Sequence, residues 1–168
     1  KGMYLFRPSS IENGESKVNL LGSGSLLNEA LKAQTVLEQD FNISADVWSV
    51  TSYKMLHENA LEVERWNMLH PTSTRRLPYI TECLDNGAIV TISVSDYVKF
   101  LADSIARWIP NRFVALGTDG FGRSDTREAL RDYFEVDSRY ITLGVLSALA
   151  EKGKLSIDIV KKYMRDVD

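Results

Sequence analysis

Arg112-Phe113-Val114-Ala115-Leu116-Gly117-Thr118-Asp119-Gly120-Phe121-Gly122-Arg123-Ser124-Asp125 is the stretch on which the fold turns. An apolar run reads as a strand, a loop with Gly117, Gly120 and Gly122 follows, and the pattern from Thr126 to Phe134 is helical. Glycine opens backbone torsions closed to other residues and lets neighbouring chain approach. Strand, glycine turn and capped helix form the local grammar of an α/β protein, whose strand carboxyl ends meet ligands or neighbours. Asp125 followed by Glu128 predicts a capping box at the helix start. Phe121, a large apolar side chain between two glycines, must fold back into the core or insert into a partner.

Outward from this loop, strands and helices alternate. Upstream, Ala88 to Ile92 is almost wholly apolar or β-branched, as a strand covered on both faces should be, and a helix carrying Val98, Leu101, Ile105 and Trp108 follows it until Pro110. Earlier strands are read at Met3-Tyr4-Leu5-Phe6, Lys17 to Leu21 and Ala45 to Val50. Gly22-Ser23-Gly24-Ser25 leads into a helix with Leu27, Ala30, Leu31, Gln34 and Leu37 on one face and Ser25 as its expected N-cap. The long crossover after Ser52 is helical through Leu56, Leu61 and Trp66 to Leu69, and a short helix begins at Pro78, in the first-turn position proline tolerates. Helices are also expected over 138–152, closed by Gly153, and over 156–164. This alternation predicts a doubly wound open sheet with parallel crossovers.

Composition narrows the function. The chain has 168 residues, 44% hydrophobic and 26% charged, which suits one soluble domain that needs no disulfide. A net charge of -3 with scattered cations supplies no counterion-releasing surface for nucleic acid. The lone Cys83, in a helical pattern, reads as a buried inert thiol in a reducing, cytoplasmic compartment, and no apolar stretch is long enough for a membrane span. The opening Lys1-Gly2 suggests a piece of a longer chain. His57 and His70 have no partner at metal-ligand spacing, the Glu62 to Arg65 stretch reads as a solvated helix face, and no nucleophile elbow is present. Gly22-Ser-Gly-Ser25 lacks the third glycine of a dinucleotide loop, and the Gly117 loop lacks the Gly-Lys-Ser/Thr of a phosphate loop.

Two longer motifs, Glu64-Arg65-Trp66-Asn67-Met68-Leu69-His70-Pro71 and Leu116 to Asp125, carry a resemblance. Asp46 to Ser52, Ser95-Asp96-Tyr97 and Tyr133 to Asp137 extend it over roughly Met3 to Gly153. The chain resembles the C-terminal domain of homodimeric bacterial pyruvate dehydrogenases, thiamine diphosphate-dependent first components of that multienzyme complex, within the wider transketolase-like group. The resemblance implies a three-layer α/β/α fold whose five-stranded mixed sheet has its first strand antiparallel to the other four. It implies that thiamine diphosphate and Mg2+ lie in earlier domains, that the parent decarboxylates pyruvate and reductively acetylates a lipoyl group of the acetyltransferase component, and that a second subunit completes a homodimer. No catalytic, cofactor-binding or metal-binding residue transfers to this chain, which alone is expected to be inactive. The expected role is scaffolding, with the strand-end loops bearing Ser23, Ser25, Tyr53, Asp96, Asp119, Phe121, Arg123 and Asp125 braced against the neighbouring domains or subunit. The alternative is a regulatory module binding a nucleotide or anion on the same edge.

Overall fold

A computed structural model describes residues 1–167, the Asp166 side chain excepted. Five strands form one sheet: β1 (Met3–Arg7), β2 (Ser16–Gly22), β3 (Ile43–Val50), β4 (Val90–Val94) and β5 (Arg112–Leu116), in the order β1-β3-β2-β4-β5. β2, β3, β4 and β5 are parallel; β1 runs antiparallel to β3. The connection over residues 8–15 contains no helix, and a parallel crossover needs a dozen residues or more, so β1 can only return beside β3 in the opposite sense.

Helices cover both faces. α1 (Leu27–Phe41), α6 (Ser138–Glu151) and α7 (Ile157–Val167) pack together, with α1 and α6 on the sheet. Val18, Leu20, Val47, Val90 and Ile92 meet Ala30, Leu37, Val145 and Leu149 in this layer. α2 (Tyr53–Leu69), α3 (Tyr79–Leu84) and the short α4 (Lys99–Asp103) cover the opposite face, where Leu21, Trp48 and Val50 meet Leu56, Ile80 and Ile105. Consecutive strand residues point to opposite faces, so Leu20 and Leu21 serve different cores. Among the described residues no helix is long and apolar enough to cross a membrane.

Several local expectations shift. Ser25 is no N-cap: a 3-10 turn, Gly24–Leu26, precedes α1, whose N-cap position is Leu26. Pro78 is the N-cap of α3 rather than its first residue. The helix expected through Val98 and Trp108 breaks into α4 and a 3-10 turn, Ala106–Trp108. α5 (Arg127–Tyr133) is capped by Thr126, whose hydroxyl accepts from the Ala129 N–H, so the Asp125 capping box does not form. Asp125 instead accepts from the Thr126 N–H at 2.7 Å. α6 is capped by Asp137, α7 starts at Ile157, and Cys83 is half-buried rather than buried. Gly153 does close α6, with a φ of +67°.

Candidate functional site

The parallel strands bring their carboxyl ends to one edge. Gly22 lies beside Val94 and Val94 beside Leu116, so the loops after β2, β4 and β5 leave the sheet side by side. Backbone bonds tie them: the Ser23 N–H donates to Val94 O, the Ser95 N–H to Leu116 O and the Thr118 N–H to Tyr97 O. The Ser23 hydroxyl donates to Val50 O at 3.0 Å, which adds the end of β3. Gly117 has no alternative here, because a Cβ on it would stand 2.5 Å from the Tyr97 carbonyl oxygen.

Several of the charges on this rim are engaged within it. Ser25 Oγ donates to Asp96 Oδ2 at 3.1 Å and accepts from Arg131 Nη2 at 3.2 Å. Asp119 accepts from the Lys99 N–H at 2.9 Å, at the start of α4. Arg123 lies over the Tyr133 ring, 3.8 Å from its centroid. Phe121 is 97% exposed, so it does not fold back into the core. Two of the predicted rim residues are buried: Ser23, and Tyr53, which is 3% exposed inside the core under α2. Burial pushes its phenol up to about 12, with the Ser93 hydroxyl pulling weakly the other way.

Glu29 was missed by sequence reasoning. It is 3% exposed, on the first turn of α1, and accepts from Arg131 Nη1 at 2.8 Å, from the Ser138 N–H at 3.1 Å and from Lys32 at 2.9 Å. This carboxylate ties α5 and the start of α6 to α1. α5 buries none of its own residues, so the Gly117 loop and α5 form an arm held by polar bonds above a cavity of about 320 Å3. Asp96, Asp125, Arg127 and Arg131 share the cavity wall. An acidic residue placed where an apolar stripe should continue was the only local signal, and it reads equally well as a solvated N-terminal charge.

His57 packs edge-on to Trp108, and His70 stacks on Trp66 while its Nδ1 lies 2.8 Å from Trp66 O, as structural histidines do. Glu64, on the stretch expected to be a solvated face, pairs with Arg107 and accepts from Trp108 Nε1 at 2.8 Å. A second buried network lies towards the amino ends of the strands. Asn19 and Asn86 exchange amide hydrogen bonds, Trp48 Nε1 donates to Asn19 Oδ1 at 3.1 Å, and Asp46 takes Lys17, Asn86 and the Ser9 N–H.

With this geometry in hand, the family of transketolase-like TK C-terminal domains matches residues 2–137. The chain belongs to that family. Among relatives of this C-terminal domain, the pyruvate dehydrogenase E1 component of Pseudomonas aeruginosa is 45% identical over 161 residues, 95% of this chain and 18% of its own length. That of Escherichia coli K12 is 41% identical over 173 residues, 100% of this chain and 19% of its own. The transketolase-like domain therefore spans less than a fifth of the curated relatives it matches. A split-gene transketolase, solved as an inactive β4 tetramer, superposes with a TM-score of 0.58 at 17% identity, covering 88% of this chain and 42% of that one, a likeness of fold.

The rim carboxylates of this transketolase-like domain do not converge on one point. Among the described residues no three His, Cys, Asp or Glu side chains converge. Asp96, Asp119 and Asp125 each face a different partner. The regulatory-module alternative is not supported either: its relatives are pyruvate dehydrogenase E1 components, and at the strand ends Arg131 is committed to Glu29 and Ser25.

Proposed function

We propose that the chain is the C-terminal docking domain of a pyruvate dehydrogenase first component and carries no reactive group of its own. In this reading the cofactor-bearing domains precede it, bind thiamine diphosphate and Mg2+, and decarboxylate pyruvate. The parent then reductively acetylates the lipoyl group of a dihydrolipoyl acetyltransferase partner, and works as a cytoplasmic homodimer. Identity above 40% with relatives of that name over nearly the whole chain supports the assignment.

The observation that carries the docking role is Phe121, 97% exposed on an arm whose helix buries none of its residues. A solvated phenyl ring gains by burial against a neighbour, and aromatic and arginine side chains dominate interface energetics. Ser23, Ser25, Asp96, Asp119 and Asp125 shape the rim behind it, and Tyr53 supports it from inside. The test is Phe121→Ala with Arg123→Ala in the full-length enzyme. Dimerisation or turnover should weaken about tenfold or more, while the isolated domain keeps its melting temperature, since neither side chain is in a core. Unchanged sedimentation and unchanged pyruvate kinetics would end the proposal.

A further inference from the structure

Asn86-Gly87 lies in the turn that carries the chain from α3 to β4, and it is one of two Asn-Gly pairs in the sequence; the other is Asn13-Gly14. An asparagine followed by glycine carries a modification chemistry of its own. The backbone nitrogen of the glycine attacks the side-chain carbonyl carbon of the asparagine and gives up its proton, and the amide nitrogen leaves as ammonia. Water then opens the resulting succinimide at either carbonyl, to aspartate or to isoaspartate, with no change of oxidation state. Glycine favours the attack because no Cβ hinders the backbone rotation that brings the nitrogen to the carbon.

The fold restrains the two pairs at different atoms. Asn13 is exposed, but Gly14 is wedged against the start of β3: a Cβ on it would stand 2.8 Å from the Ser44 nitrogen and 2.9 Å from the Asn42 carbonyl oxygen. Gly87 is unconfined, with a φ of +83° and no heavy atom within 4 Å of where a Cβ would stand. At this pair it is the asparagine side chain that is held. The Asn86 amide nitrogen donates to Asn19 Oδ1 at 3.0 Å and to Asp46 Oδ2 at 3.2 Å. Its oxygen accepts from Asn19 Nδ2 at 3.2 Å and from the Ala88 N–H at 3.3 Å. Asn19 is fully buried and fixed by Trp48 Nε1, and Asp46 is fixed by Lys17. Both donors and the acceptor of the amide are thus in use, and the amide must leave these partners before the Gly87 nitrogen can reach its carbon.

We propose that Asn86 is a deamidation site kept latent by its bonds to Asn19 and Asp46, and that its conversion loosens β4. Aspartate at this position sets an oxygen where the amide nitrogen donated, so Asn19 Oδ1 loses a donor and the new carboxylate faces that of Asp46. Two carboxylates on one site repel, and a buried acceptor left without a donor costs its desolvation. Isoaspartate routes the backbone through the former side chain and lengthens the turn that feeds β4. Val90, at the start of that strand, pairs with Val18 of β2 on one side and Arg112 of β5 on the other, so a shift there is felt by both neighbours. The inference is independent of the docking role of the rim.

The experiment is peptide mass spectrometry of the full-length protein aged at mildly alkaline pH, folded and in urea, with aspartate and isoaspartate scored at both Asn-Gly pairs. In urea both pairs should convert. In the folded protein Asn86 should convert about tenfold or more slowly than in urea, because only the fraction of molecules with the turn open can react. Asn19→Ala, which removes both bonds to Asn19, should return most of that speed while the rate at Asn13 holds. Acceleration at Asn13 as well marks unfolding of the variant, and the folded-to-urea ratio of the natural protein then decides: a ratio near unity overturns the inference. So does a slow Asn86 in a folded Asn19→Ala protein. Asn86→Asp, which installs one product directly, should raise amide exchange in β4 about tenfold or more without changing that in α2. Unchanged exchange in β4 would overturn the claim that conversion loosens the strand.

Discussion

Tyr53 shows how a single side chain can carry a pH dependence. Its phenol is buried, and neither it nor the buried Ser93 hydroxyl has a hydrogen-bond partner of good geometry among the described residues. Below pH 10 the group is neutral in folded and unfolded chain alike. As pH rises further the unfolded chain releases the proton, while the folded chain holds it until about 12. Stability contributed by the neutral phenol is thus lost through that window, by roughly 3 kcal/mol for two pH units. Urea midpoints at pH 7 and pH 11 check this. Tyr53→Phe should lie within about 1 kcal/mol of the natural protein at pH 7, since no good hydrogen bond is removed, and should fall less on going to pH 11. An equal fall in both proteins would place the alkaline loss elsewhere.

Among the elements, α5 is held differently from its neighbours. α6 buries six residues, including Ile141, Val145 and Leu149, whereas α5 buries none and depends on Arg131 with Glu29, Arg139 with Asp132, and the Thr126 cap. A helix held by polar bonds opens more easily than one held by a core, because water can replace each bond. Glu29→Gln keeps the volume and removes the charge under Arg131. Breaking a pair so deeply placed costs up to about 3–5 kcal/mol, and less here because Arg131 keeps some contact with water. Amide exchange in α5 should therefore quicken well before exchange in β2 or α6. Uniform acceleration across all three would show that Glu29 supports global stability instead of the arm. The element boundaries also show what local sequence can express. Gly153 ends its helix where expected, with positive φ, because the signal lies in the residue itself. Ser25 and Asp125 had equally good capping chemistry, yet Ser25 is occupied by Asp96 and Arg131 from distant loops, and Thr126 is better placed to cap α5.

For the molecule as a whole, two cores on either face of one sheet leave the strand-end rim as a surface open to neighbours. If the domain serves as a scaffold, calorimetric titration of the isolated chain with thiamine diphosphate and Mg2+ should give no saturable heat. Saturable heat from thiamine diphosphate would contradict the reading that the cofactor is held elsewhere, and saturable heat from a nucleotide would revive a regulatory role. The α/β class, all five strands and the strand-end position of the Gly22 and Gly117 loops were legible in the sequence, since hydrophobic period, turn glycines and helix stops are local properties. The direction of β1 came from family resemblance, not from its residues. Which charges the rim would spend on itself, the burial of Glu29 and Tyr53, and the paired amides of Asn19 and Asn86 were decided by tertiary structure alone. Each depends on partners far along the chain, and a side chain's own sequence neighbourhood cannot record whether such a partner will arrive to replace the water it gives up.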